Sequence, residues 1–102
     1  QWAMLPTAMA AGDVAALAGL ALPEVVERLQ KLCHDVVALQ VGAAPRYFEV
    51  ADLPNRPLPM AALTRWWGVL TQEARSAEHS LNAGLATEFL VNSARQALNS
   101  RR

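Results

Sequence analysis

Apolar residues recur at steps of three and four along most of the chain, the period of helices buried on one face. The clearest case runs from Pro23 to about Val41. Val25, Leu29, Leu32, Val36 and Leu39 form a stripe, and Val26, Cys33 and Val37 widen it on one flank. Glu24, Glu27, Arg28, Gln30, Lys31, His34 and Asp35 fill the opposite, polar face. Pro23 suits a first turn, where a missing N–H is harmless, and Gly42 ends the helix. Glu24–Arg28 and Glu27–Lys31 stand four apart in the favourable order, each pair contributing about 0.2–0.5 kcal/mol.

Upstream, Trp2, Leu5 and Met9 keep helical step within residues 1–11, with Pro6 in a first turn. Gly12 provides the left-handed residue that terminates a helix. Asp13 then caps a short second helix from Val14 to about Leu20. Downstream, a helix from about Pro59 to Ala77 carries a stripe of Met60, Leu63, Trp67, Leu70, Ala74 and Ala77, with Trp66 and Val69 beside it. This phase puts Trp67 in the core and Trp66 at its edge. Gly68 costs roughly 1 kcal/mol relative to alanine inside a helix, and a backbone or ring packed closely there would explain it. Residues 78–81 make a turn, and Asn82 caps the last helix, with Leu81 and Ala86 placed as a hydrophobic staple. Ala86, Phe89, Leu90, Ala94, Ala97 and Leu98 face the core, while Glu88 and Arg95 sit at the helix ends that favour their charges. No strand pattern occurs. The expected fold is all-α: a single orthogonal bundle of four to five helices, one domain over residues 1–102.

The connection between the third and fourth helices, AAPRYFEVADLPNRPL over residues 43–58, contains three prolines and no sustained period. Helix connections usually run about 2–8 residues, and longer ones are functional or disordered. Tyr47 and Phe48 argue for order, since disordered segments are poor in aromatics. The expectation is a loop strapped over the bundle by those two rings.

Composition sharpens this picture only slightly. Hydrophobic residues make up 53% and charged residues 18%, a lean charge count that leaves apolar surface for another protein to cover. Nine basic and nine acidic residues give zero formal charge, so the cation excess that drives phosphate binding is missing apart from Arg101 and Arg102. The single cysteine, Cys33, rules out an internal disulfide and fits a cytoplasmic setting. No apolar run reaches the roughly 20 residues of a membrane span. Because the chain begins at Gln1 rather than methionine, a fragment of a longer protein is expected.

Candidate chemistry is sparse. Cys33 and His34 are adjacent, but neighbouring helical side chains diverge by about 100°, and Cys33 falls on the apolar flank as a core thiol. His34, Asp35, Glu78 and His79 lack the spacing of a zinc site. Neither glycine-rich phosphate cradle occurs, and Glu24 and Glu27 lie on a charge-paired face. No catalytic, cofactor-binding or metal residue is assigned, and no cofactor is expected. The candidate protein interface comprises Trp66, Arg46, Tyr47 and Phe48, residue types enriched where proteins meet.

Two strings, LQKLCHDVVALQVGAAPRYF (residues 29–48) and RWWGVLTQEARSAEHSLNAGLATEFLVNSARQAL (residues 65–98), resemble the C-terminal region of the bacterial DNA polymerase III delta-prime family. The family's Leu-Gln-Lys and Cys-His-Asp elements are matched by Leu29–Lys31 and Cys33–Asp35. Its Gly-x-x-Pro-Arg-Tyr-Phe loop is matched by Gly42 and Pro45 to Phe48, and its Asn-x-x-Leu helix start by Asn82 and Leu85. Residues 1–22 and 49–62 match only in character. The resemblance implies a clamp-loader collar domain. Such a domain is a non-catalytic oligomerisation module that holds delta, gamma or tau, and delta-prime subunits in a ring while the assembly loads the sliding clamp during DNA replication. It implies gamma/tau and delta as partners in a hetero-oligomer; from the charge balance and hydropathy, neither direct contact with nucleic acid nor a membrane is expected. The family's zinc module, nucleotide-binding fold and inter-subunit arginine would lie upstream, outside this sequence. Two rival readings are a nucleic-acid-binding helical module and a small helical enzyme using His34 or His79.

Overall fold

The computed structural model describes residues 2–102. Gln1, where the sequence reading begins the first helix, lies outside the described residues. Four α-helices are present: α1 (Leu5–Ala11), α2 (Leu22–Gln40), α3 (Met60–Ser76) and α4 (Ala83–Leu98). Single 3₁₀ turns occupy Trp2–Met4, Val14–Leu17, Val50–Asp52 and Ala77–His79, and no strand occurs among the described residues. The helical bundle expected from the apolar period is therefore present, with the short second helix reduced to one 3₁₀ turn.

The helix ends follow local chemistry. At the end of α1, Gly12 adopts φ 74°, Gly12 N–H donates to Met9 O and Asp13 N–H donates to Ala8 O. At the end of α2, Gly42 adopts φ 79°, with Gly42 N–H to Leu39 O and Ala43 N–H to Ala38 O. Both are Schellman closures, which need a left-handed residue and therefore favour glycine. Asp13 accepts from Ala15 N–H and Asn82 accepts from Leu85 N–H, so both expected N-caps form. Glu24 accepts from Ala21 N–H at 3.2 Å, one half of a capping box. Drawn to that role, Glu24 does not pair with Arg28, whose guanidinium instead lies 4.3 Å over the Trp2 ring. The Glu27–Lys31 pair does form, at 3.5 Å.

Helix α2 packs on both α3 and α4, and α1 closes the bundle against α4. The core runs through Leu5, Met9, Leu17, Val25, Leu29, Leu32, Val36, Leu63, Trp66, Leu70, Leu90, Val91, Ala94 and Leu98. Its α3 contribution corrects the expected phase: Trp66 is 2% exposed and Trp67 44% exposed. Leu63, Leu70 and Ala77 are common to both phases. The side of that row which turns inward carries Ala62, Trp66 and Val69, whereas the Trp67 side includes the polar Thr64 and Thr71. Three apolar neighbours outweigh an alternation of apolar and threonine positions, so the helix rotates toward Trp66.

The last helix departs from its expected face in a similar way. Val91 is buried, while Phe89 is half exposed and Leu81 fully exposed, so no staple forms with Ala86. The expected close neighbour of Gly68 is also absent: a Cβ there would meet nothing within 4 Å. Nothing in the structure explains the glycine.

Candidate interaction site

The long connection is held by side-chain-to-backbone hydrogen bonds as well as by one of its two rings. Asp35 is fully buried although the sequence assigns it to the polar face of α2. Its carboxylate points across the bundle edge into the loop. Arg46 N–H donates to Oδ1 at 2.8 Å, and Tyr47 and Phe48 N–H both donate to Oδ2 at 2.7 Å. His34 Nδ1 lies 2.9 Å from Oδ1 and completes the set. Desolvation acts to raise the Asp35 pKa. The hydrogen bonds from Arg46, His34, Tyr47 and Phe48 outweigh it and hold the carboxyl below its ordinary value. A second α2 side chain lashes the far end of the loop: Gln40 Nε2 donates to Arg56 O, and Leu58 N–H donates to Gln40 Oε1. Arg56 in turn donates from Nη2 to Leu98 O, joining the loop to the end of α4.

This arrangement decides where the candidate residues sit. Phe48 is half buried and packs against the core, as expected for one strap. Tyr47 stays 45% exposed, a correction to its expected strapping role. Three basic side chains gather around its ring: His34 at 5.5 Å edge-on, Lys31 Nζ at 5.4 Å and Arg46 Cζ at 5.6 Å from the centroid. Arg46 is exposed beside it. Trp66 is removed from the candidate interface, since the core encloses it; its indole Nε1 is buried without a hydrogen-bond partner.

Next to this cluster lies an open groove of about 490 Å³ between α2 and α3, lined by His34, Val37, Ala38, Ala43, Met60, Leu63, Thr64 and Trp67. Leu63 is completely buried, while Met60 and Trp67 remain about half exposed. His34 belongs to both the groove and the Tyr47 cluster, so the two form one continuous surface. The sequence reading missed Trp67, Met60 and Ala43 as surface residues. The available signal was the polar interruption of their face by Thr64.

Comparison of the chain with protein-family models, curated proteins and solved structures returns no match.

The remaining chemistry stays dispersed. Cys33 is fully enclosed, its Sγ lies 3.9 Å from Leu63 O, and burial pushes its thiol pKa up to about 12. A thiol so raised is a poor nucleophile. Among the described residues, no group of three or more His, Cys, Asp or Glu side chains could hold a metal ion. Glu78 and His79 are exposed in the turn before α4. His34 lines the open groove, where Thr64 is the only other polar residue. Among the described residues, no helix is long and apolar enough to cross a membrane.

Proposed function

We propose that the chain is a non-catalytic protein-interaction module: the oligomerisation domain of a clamp-loader delta-prime subunit, acting in the cytoplasm during DNA replication. The observation that carries the interaction reading is the open apolar groove walled by Trp67 and Met60, continuous with the exposed Tyr47 and Arg46. Side chains of this kind, solvated on one face and apolar on the other, gain free energy when a partner excludes the water. The groove has only His34 and Thr64 as polar lining, which favours surface contact over bond-making chemistry.

The clamp-loader assignment rests on the motif resemblance, whose Cys-His-Asp and Pro-Arg-Tyr-Phe elements adjoin in the fold. Asp35 of the Cys-His-Asp element accepts the N–H groups of Arg46, Tyr47 and Phe48 in the Pro-Arg-Tyr-Phe element. As a scaffold, the domain would keep neighbouring gamma/tau and delta subunits together while ATP-driven domains move. A stable interface of that kind buries about 1,200–2,000 Å² in total.

The test is co-elution of the full-length protein carrying this domain with gamma and delta subunits of the same organism in size-exclusion chromatography. The expected result is a complex that is lost when residues 1–102 are deleted. Assembly that persists without them would refute the scaffold role. A salt-dependent mobility shift of the isolated domain with primed DNA would favour the nucleic-acid reading instead.

A further inference from the structure

We propose that residues 44–48 form a hinged flap that opens by itself, carrying Arg46 and Tyr47 off the bundle while residues 50–58 and the helices stay in place. The motion belongs to the loop and is independent of what the chain binds. The two halves of the connection are fastened by different means. In the near half no side chain is buried: Pro45 and Phe48 are partly covered, and Ala44, Arg46 and Tyr47 are exposed. Among the described residues, every hydrogen bond tying this half to the bundle ends on one group. The Asp35 carboxylate accepts Arg46 N–H at 2.8 Å and Tyr47 and Phe48 N–H at 2.7 Å. The far half is pinned more widely. Leu53 and Leu58 are buried in the core. Gln40 bonds both Arg56 O and Leu58 N–H, and Arg56 reaches Leu98 O on α4. A segment rooted in the core cannot leave without disturbing it, whereas one held by a single acceptor can. Segments with few buried apolar contacts open at a lower free energy than the whole molecule.

Both ends of the near half are built to swing. Gly42 adopts φ 79°, and a Cβ there would meet nothing within 4 Å, so the chain turns in open space. Ala43 N–H still bonds Ala38 O, which fixes the end of α2 on the helix side of the flap. At the other end Glu49 is extended and exposed, and its carbonyl accepts Asp52 N–H at 3.0 Å to start the next 3₁₀ turn. Between these points no backbone–backbone hydrogen bond holds residues 44–48. Hinge motions are absorbed by a few loop positions of this kind. The three N–H groups come from successive residues and share one acceptor, so they release together. The contacts of the exposed Tyr47 ring with Lys31 and His34 add little, since cation–ring attraction is weak in solvent. Arg46 lies over the same ring and travels with it. The exposed pair can thus be repositioned against a partner without repacking the core, as loops do in many regulatory complexes.

Amide hydrogen exchange of the whole chain, followed by NMR near neutral pH in low urea, tests the flap. Arg46, Tyr47 and Phe48 amides should exchange faster than those of Leu32 and Leu90, at rates that barely rise with urea because little surface is uncovered. Asp35→Asn should speed these three by about tenfold or more, while the Leu58 amide exchanges no faster than the amides of the core helices. Gln40→Ala should speed Leu58 and leave residues 46–48 unchanged. Exchange of residues 46–48 with the same urea dependence as the core helices would overturn the flap, because they would then open only when the bundle does. So would a Gln40→Ala chain in which residues 46–48 accelerate alongside Leu58, since the loop would be one unit. An Asp35→Asn chain that fails to fold would overturn it too, because a self-contained flap cannot take the bundle with it.

Discussion

Removing the Asp35 carboxylate should loosen the loop before anything else in the molecule. In Asp35→Asn, the remaining carbonyl oxygen can take the place of Oδ2 and serve Tyr47 and Phe48 N–H. The amide nitrogen then falls where Oδ1 accepted Arg46 N–H, so donor faces donor. One orphaned N–H costs about 1–3 kcal/mol, and bonds to a charged acceptor are worth about 1.5–3 kcal/mol against about 1 for a neutral one. The expected loss for Asp35→Asn is about 2–4 kcal/mol, and for Asp35→Ala, which strands all three N–H groups, about 3–5 kcal/mol. Domains of this size hold about 5–15 kcal/mol in all, so either variant is a large perturbation. At about 4–8 °C per kcal/mol, the melting temperature of Asp35→Asn should fall by about 8–32 °C.

The pH dependence provides an independent check. The native carboxyl is held below its ordinary value, whereas in the unfolded chain it titrates near about 3.9. A depressed native pKa stabilises fully above the unfolded value and is lost as pH falls through the native one. The gap between wild type and Asp35→Asn should thus be widest near neutral pH and close below about pH 4. Urea denaturation followed by tryptophan fluorescence, repeated across pH, measures both effects. A variant within about 1 kcal/mol of wild type would refute the clamp, given the central value for even one neutral hydrogen bond. So would a gap that does not change with pH.

Further expectations follow from single positions. Trp66→Ala should destabilise by about 3–5 kcal/mol, as a large core truncation does, while Trp66→Phe should be much milder because the indole N–H has no partner to lose; equal costs in thermal melts would contradict this. Gly68→Ala should stabilise by about 0.5–1 kcal/mol, since the site is helical and open, and an unchanged or lower midpoint in urea would show a constraint not visible in the packing. Gly12→Ala should destabilise by more than about 1 kcal/mol, because φ is 74° and the new Cβ would come within 2.8 Å of Arg95 Cδ; calorimetry decides. Cys33 should react with a thiol-specific disulfide reagent only at the rate of opening, and rapid labelling of the folded protein would contradict its enclosure.

What the sequence revealed was local. Gly12, Asp13 and Asn82 act on backbone groups two to five residues away, and each cap was legible from residue type and position. The span of α2 was legible for the same reason. Trp66 and Trp67 were exchanged because a stripe drawn through one tryptophan ignores what flanks it; Ala62 and Val69 on one side against Thr64 and Thr71 on the other held the answer. Asp35 was the deepest miss. A carboxylate on an amphipathic helix reads as solvated, and its real partners lie 11 to 13 residues ahead in an irregular loop. One cue was present: Asp35 stands three after Leu32 and four before Leu39, on the margin of the apolar stripe. Of the candidate interface residues, only the exposure of Arg46 and Tyr47 can be compared with the sequence reading. Arg46 and Tyr47 surface together, while the trough beside them depends on how α2 and α3 meet, which no single segment encodes.

Because Asp35 grips main-chain N–H groups rather than side chains, the identities of residues 46 and 47 are uncoupled from the support beneath them. Arginine and tyrosine there could be exchanged for many other residues while the loop kept its shape, with proline alone barred for want of a hydrogen to offer. The molecule thereby separates its foundation from its vocabulary. A lineage carrying this aspartate could change what the loop says to its surroundings, one side chain at a time, without rebuilding the shelf on which those side chains stand.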